Sequence, residues 1–270
     1  MNLSFITPTA YIKDFQKQGD FILALSHLID RAERNEYEKA IKEAGLPIWL
    51  DNGAFEKGKP EGIDSLLNKA RRINAELVFA PDFWEDAEQT KRALDTFIYI
   101  KNKIQLNIKT GVVVQAKNWE EFINLYKYFL EKPEVDIIGI NHYTTSKVWQ
   151  FKGQKGTKKN PLIHKPGRMT ADRIEVLKFL EKNKLNTKPV HLLGLGGGYQ
   201  DVIYASKNLP WVKSNDTSAP FWSAKHGIKM DDNGDFGGKI KEKVDFNFKE
   251  ASLEFLSLAQ YNINKIKSLC

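Results

Sequence analysis

The sequence predicts an α/β chain folded as a (β/α)8 TIM barrel, on two observations. Eight short apolar runs, at residues 3–6, 21–25, 48–50, 77–80, 112–114, 137–140, 190–195 and 211–212, read as strands buried on both faces. Segments of helical period lie between them, and no Pro-, Gly- or Ser-rich linker divides the chain. Residues 1–270 are therefore expected to form a single domain. A doubly wound open sheet is the competing architecture.

The helical segments follow from apolar spacing. Ile63, Leu66, Leu67, Ala70 and Ile73 share one face, as do Trp119, Phe122, Ile123, Tyr126 and Leu130. Asn118 with Glu121 makes a capping-box-like start for the second of these. Asp86 with Gln89 starts a helix carrying Ala93, Leu94, Phe97 and Ile98. Thr170 reads as the N-cap of a helix with Ile174, Leu177 and Phe179 or Leu180. A last helix over 248–269 carries Leu253, Leu256, Ala259, Ile263 and Ile266. Two stretches break the rhythm. One is a long basic insertion at 141–169, placed after strand 5; the other is an irregular segment at 223–247.

Composition excludes several classes. Hydrophobic residues at 41% and charged residues at 28% are ordinary for a folded chain, not a disordered or collagen-like one. No apolar run approaches the ~20 residues of a membrane span, and no signal-like segment opens the sequence. Cys270 is the single cysteine, so no intramolecular disulfide or multi-cysteine metal site is expected, and a reducing cytoplasm fits. The net charge is +7, and all of it can be assigned to 141–171. That stretch holds Lys147, Lys152, Lys155, Lys158, Lys159, Lys165 and Arg168, and neither Asp nor Glu. Tyr143, Trp149 and Phe151 are interleaved with them. Lysines neutralise phosphates and aromatic rings stack on unpaired bases, so the stretch reads either as a nucleic-acid-binding arm or as a solvated insertion.

The strongest chemical signal is a set of polar residues placed just after apolar strands. Asp51 follows Leu50, Asp82 follows Pro81, Gln115 follows Val114, and Asp216 lies just beyond Val212. In a parallel barrel all four converge on the C-terminal face. Two carboxylates there can divide nucleophile and proton-transfer roles about a sugar carbon. For Asp86 and Asp201 a helix N-cap is the preferred reading. Residues 194–199 imitate a dinucleotide-binding loop, but Tyr199 stands where the last glycine belongs. His27, His142, His164, His191 and His226 lack metal-ligand spacing. His191 reads as structural, and His142 with His164 as phosphate contacts in the insertion.

These residues resemble the tRNA-guanine transglycosylases and their DNA-modifying relatives. Asp51-Asn52-Gly53-Ala54-Phe55-Glu56 looks like the family's Asp-Ser-Gly-Gly-Phe-Gln segment. Gly111 to Gln115 is similar to its Gly-Ile-Val-Gln strand end, and Ile138-Gly139-Ile140 to its glycine strand. His191 to Gly196 is similar to Tyr-Leu-Met-Gly-Val-Gly, and Asp216 to Pro220 keeps the spacing Asp-x-x-x-Pro. The segments occur in family order from Asp51 to Pro220.

The resemblance implies base exchange. Asp216 would attack C1′ of a guanosine and expel guanine, and Asp51 would be the general acid/base. Asp82, Gln115, Gly139, Leu193, Gly194 and Phe55 would contact the base, and the target nucleotide would leave its stack. Ala54 and Glu56 depart from the family's Gly and Gln. The tRNA enzymes carry a zinc site of three Cys and one His, which Cys270 alone cannot build, so neither a zinc subdomain nor a cofactor is expected. The pattern is closer to the DNA-guanine transglycosylases of phages and bacteria, which place 7-deazaguanines such as preQ0 in DNA and so block restriction. A phage-encoded chain would act in the host cytoplasm. The expected partners are DNA and a 7-deazaguanine base. tRNA-guanine exchange, a hydrolytic N-glycosidase and a non-catalytic nucleic-acid-binding barrel are the alternatives.

Overall fold

The computed structural model describes residues 1–29, 35–152, 167–195, 198–233 and 252–270. Among them, eight parallel strands form a nearly closed barrel with helices between them, a (β/α)8 fold. The strands are β1 (Asn2–Phe5), β2 (Ile22–Leu25), β3 (Ile48–Asp51), β4 (Leu77–Phe79), β5 (Lys109–Val113), β6 (Val135–Asn141), β7 (Val190–Leu193) and β8 (Val212–Thr217). The ladder runs β1-β8-β7-β6-β5-β4-β3-β2. Side chains bridge the remaining seam: the Leu23 N–H donates to Ser4 Oγ at 2.9 Å, and the Leu3 N–H to Asp20 Oδ2 at 2.8 Å.

Phe21, Leu23, Leu77, Phe79, Val113 and Ile137 form a buried apolar cluster, with Ile6, Trp49 and Leu193 packed against it. Alternate residues of each strand share one face, so the rows that supply this cluster lead on toward polar strand ends. Trp49 precedes Asp51 by two positions, and Ser214 precedes Asp216 by two.

The early helices are α1 (Ile12–Phe15), α2 (Asn35–Glu43), α3 (Ala54–Lys57), α4 (Ile63–Arg72), α5 (Ala87–Lys103) and α6 (Trp119–Glu131). Then come α7 (His142–Gln150), α8 (Arg168–Lys182), α9 (Gln200–Asn208), α10 (Ala219–Lys225) and α11 (Leu253–Leu269). Their apolar faces cover the sheet; α6, for example, buries Phe122, Leu125, Tyr126 and Phe129. Asn118 accepts from the Glu121 N–H at 2.9 Å while Glu121 accepts from the Lys117 N–H at 3.0 Å, the expected cap. Asp86 likewise accepts from the Gln89 N–H at 2.9 Å.

Several expectations change. The 141–169 stretch follows β6, one strand later than expected, and its first part is helix α7. The N-cap of α8 is Gly167, not Thr170, whose hydroxyl donates back to the Gly167 carbonyl at 2.7 Å. Asp201 is no N-cap: it is fully buried and pairs with Arg173 at 2.5 Å. Residues 223–225 close α10, and α11 starts at Leu253 behind the N-cap Ser252, later than 248. The remainder of 223–247 from 234 onward, and 153–166 of the basic stretch, lie outside the described residues. No helix among the described residues is long and apolar enough to cross a membrane.

Candidate active site

The site is built from the C-terminal ends of β3, β4, β5 and β8. Asp51 is the last residue of β3, where the chain turns sharply into α3. Its Oδ2 accepts from the Gly53 N–H at 2.7 Å. Gly53 has φ of 76°, and a Cβ there would lie 2.8 Å from Ser26 Oγ, so the turn requires glycine. Asn52, fully buried, points the other way. Its Nδ2 donates to the Ala80 carbonyl at 2.8 Å and to Asp82 Oδ1 at 2.6 Å.

Asp82 is held on both oxygens, since Gln115 Nε2 donates to its Oδ2 at 2.6 Å. Gln115 is oriented in turn by the Thr144 hydroxyl, which donates to Oε1 at 3.0 Å. Thr144 lies in the first turn of α7, whose N-cap Asn141 accepts from the Thr144 N–H at 2.7 Å. A polar chain Asn52–Asp82–Gln115–Thr144 thus ties four strand ends together. Each carboxylate oxygen has a second lone pair, so Asp82 retains capacity for a ligand N–H.

Asp216 is buried at 4% exposure, and its Oδ1 lies 2.9 Å from His191 Nε2. His191 Nδ1 is 2.9 Å from Ser214 Oγ. The pairing of β7 with β8 sets this up, with His191 opposite Ser214 and Leu193 opposite Asp216. Neighbouring Asn215 donates to the Leu192 carbonyl at 2.7 Å and accepts from the buried Tyr199 hydroxyl at 2.9 Å.

Asp51 feels the neighbouring carboxylates. The Asp51 pKa is raised well above the ordinary value, first by burial, then by the charge of Glu56, and further by Asp82 and Asp216. The Gly53 N–H opposes the shift. Burial raises Asp82 to about 6 against the amide donors of Asn52 and Gln115. Around the site's mouth, an aromatic row runs from Phe55 through Trp84 to Tyr143. Ring centroids are 6.3 Å apart for the first pair and 5.5 Å for the second, and Phe55 is 68% exposed.

Gly139 lies beside this site. A Cβ there would stand 2.7 Å from Leu193 Cδ1 and 3.0 Å from the Val112 carbonyl, so only glycine leaves the strand undistorted. The Leu193 and Gly194 carbonyls are engaged by Arg173, which donates at 2.9 and 3.0 Å.

The structure therefore brings Asp51 within electrostatic reach of Asp82 and Asp216, and places Gln115 on Asp82. It treats the basic positions differently. Lys147 pairs with Glu85 at 2.5 Å, and Arg168 with Asp172 at 3.0 Å. Lys152 lies over the rings of Trp119, Trp149 and Phe179, 4.4 to 4.6 Å from each centroid. Trp149 packs edge-on against Trp119, 5.3 Å away, in the outer helical layer rather than toward the site. Lys155, Lys158, Lys159, Lys165 and His164 lie outside the described residues.

Sequence reasoning gave no role at the site to His191, Ser214, Asn52, Glu56, Thr144 or Trp84. Period-two counting back from Leu193 and Asp216 does reach His191 and Ser214. Among the described residues, no group of three or more His, Cys, Asp or Glu side chains is placed to hold a metal ion.

No family model and no curated protein matches the chain. Among solved structures it is similar to KGPDC from Streptococcus mutans, with a TM-score of 0.47 and 12% identity over 99% of this chain and 98% of that one. A mutant methylaspartate ammonia lyase from Clostridium tetanomorphum gives 0.47 and 10%, over 99% of this chain and 58% of that one. RipC from Yersinia pestis gives 0.41 and 10%, over 80% and 88%. At such identities these likenesses concern the barrel alone.

Proposed function

We propose that the chain is an enzyme, a DNA-guanine transglycosylase that exchanges guanine in DNA for a 7-deazaguanine base. The observation that supports this best is the convergence on one rim of Asp51, whose burial favours the protonated form, and the His191-held Asp216. Base exchange needs one group that holds a proton and a second that forms a covalent bond.

In the first half-reaction, an Asp216 oxygen bonds to C1′ as the C1′–N9 bond breaks. The electron pair leaves on N9 of guanine, which takes the proton of Asp51. In the second half, the incoming 7-deazaguanine returns its N9 proton to Asp51 and N9 bonds to C1′. The Asp216 ester breaks, and both acids end as they began. Asp82 accepts N–H donors of the base while Gln115 meets its polar edge. Gly139 and the Leu193–Gly194 backbone line the base site. Phe55, with Trp84 and Tyr143, offers a stacking surface to a nucleotide that has left the duplex.

DNA is proposed over tRNA because the motif pattern resembles the DNA-guanine transglycosylases more than the tRNA enzymes. The remaining basic positions, Lys155, Lys158, Lys159 and Lys165, would meet the phosphates. A label-exchange assay tests the reading: duplex DNA, single-stranded DNA and tRNA are each incubated with labelled 7-deazaguanine. Label is expected to enter DNA. Label entering only tRNA contradicts the DNA assignment, and guanine released without incorporation identifies a hydrolase.

A further inference from the structure

His191 is fully buried, yet it carries two polar ring atoms, and both are used. Nε2 lies 2.9 Å from Asp216 Oδ1, and Nδ1 2.9 Å from Ser214 Oγ. Rings enclose it on three sides: Phe79, Trp49 and Phe21, at centroid distances of 5.4, 5.5 and 6.0 Å. A side chain packed this way has one orientation. Carboxylate Oδ1 is an acceptor, so the shared proton sits on Nε2. In a neutral ring Nδ1 is then the acceptor for the Ser214 hydroxyl, and both contacts are satisfied.

We infer that His191 is the positioning residue for Asp216, with Ser214 fixing its tautomer. This rests on the reading of Asp216 as nucleophile. A carboxylate with both oxygens unheld rotates about its Cβ–Cγ bond and offers either oxygen to a ligand. With Oδ1 tied to Nε2–H, the carboxylate plane is set and Oδ2 is the oxygen that attacks C1′. The same donor acts again when the ester breaks: negative charge returns to the carboxylate, and a donor already in place stabilises it as the leaving group.

The test combines kinetics with a readout independent of turnover. His191→Phe keeps an aromatic ring but removes the donor, and is expected to lower kcat about 100-fold while KM for DNA changes little. His191→Gln places an amide donor near Oδ1 and should recover part of that loss. Ser214→Ala leaves the ring in place but frees its tautomer, and should lower kcat less than His191→Phe. In spectra of 15N-histidine-labelled protein, the resonance absent from His191→Gln should show a proton on Nε2 and a bare Nδ1. It should move in Asp216→Ala. Wild-type kcat in both His191 variants, or a proton on Nδ1, overturns the inference. If wild-type protein exchanges no base in any nucleic acid, the transglycosylase reading falls; the tautomer then decides whether His191 holds Asp216.

Discussion

Asp51 and Asp82 stand on neighbouring strand ends, yet their environments differ. Burial lifts both, but Asp51 also faces the charge of Glu56, whereas Asp82 receives two amide donors and titrates at about 6. In the proposed exchange, Asp82 would be ionised to accept from the base and Asp51 protonated to release guanine. The rate is therefore expected to rise through about pH 6 and to fall where Asp51 loses its proton. A pH profile of kcat/KM checks this: Asp82→Asn should lose the acid limb, and an unchanged limb removes Asp82 from that role. The same shift bears on stability. The folded-state value of about 6 lies above the ordinary 3.8, so stability is lost as pH rises between them. Urea unfolding of wild type and Asp82→Asn should diverge across this range, the variant gaining up to about 3 kcal/mol in relative terms. Asp51, Asp82, Gln115 and Asp216 were legible in the sequence because each follows an apolar run. Glu56 and His191 were not, because their relation to the acids exists only after the chain turns at Gly53 and after β7 pairs with β8.

At the scale of elements, all eight strands were visible as apolar runs, but β8 read as two residues and spans Val212–Thr217. Its second half is polar because Ser214, Asn215 and Asp216 find partners inside the fold. Hydrophobicity therefore marks where a barrel strand enters the core and misses where it reaches the site. Helix α7 was hidden for a related reason: its basic, threonine-rich sequence reads as insertion, while in the fold Thr144, Thr145, Ser146 and Val148 are buried. Asp201 shows the limit of local motifs. Its partner Arg173 is 28 residues away in sequence, and the pair holds the carbonyls that end β7. Burial raises the Asp201 carboxylate even beside the guanidinium. Arg173→Ala leaves that acid unpaired and is expected to cost about 3–5 kcal/mol, measured by urea unfolding. Asn118→Ala, which removes only the α6 cap, should cost about 1 kcal/mol. Equal losses in the two variants would deny Arg173 its role in securing the end of β7.

For the whole molecule, the fold places its chemistry at one end and its packing around the barrel. The +7 charge, which the sequence concentrates in 141–171, is partly absorbed there: Lys147 and Arg168 meet acids, and Lys152 meets three rings. In the proposed reading, attraction for phosphates would fall to Lys155, Lys158, Lys159 and Lys165. Replacing Lys155, Lys158 and Lys159 together by alanine should weaken DNA binding and flatten its salt dependence. Unchanged salt dependence in a titration by fluorescence anisotropy returns these lysines to a solvated surface. The central claim, covalent base exchange on Asp216, is tested most directly by intact-protein mass measurement after incubation with a guanine-containing oligodeoxynucleotide. The account predicts a product whose mass is protein plus oligonucleotide less one guanine, with the linkage mapped to Asp216 and absent from Asp216→Ala. An Asp216→Ala protein that still forms the adduct, or that exchanges base at the wild-type rate, would contradict it.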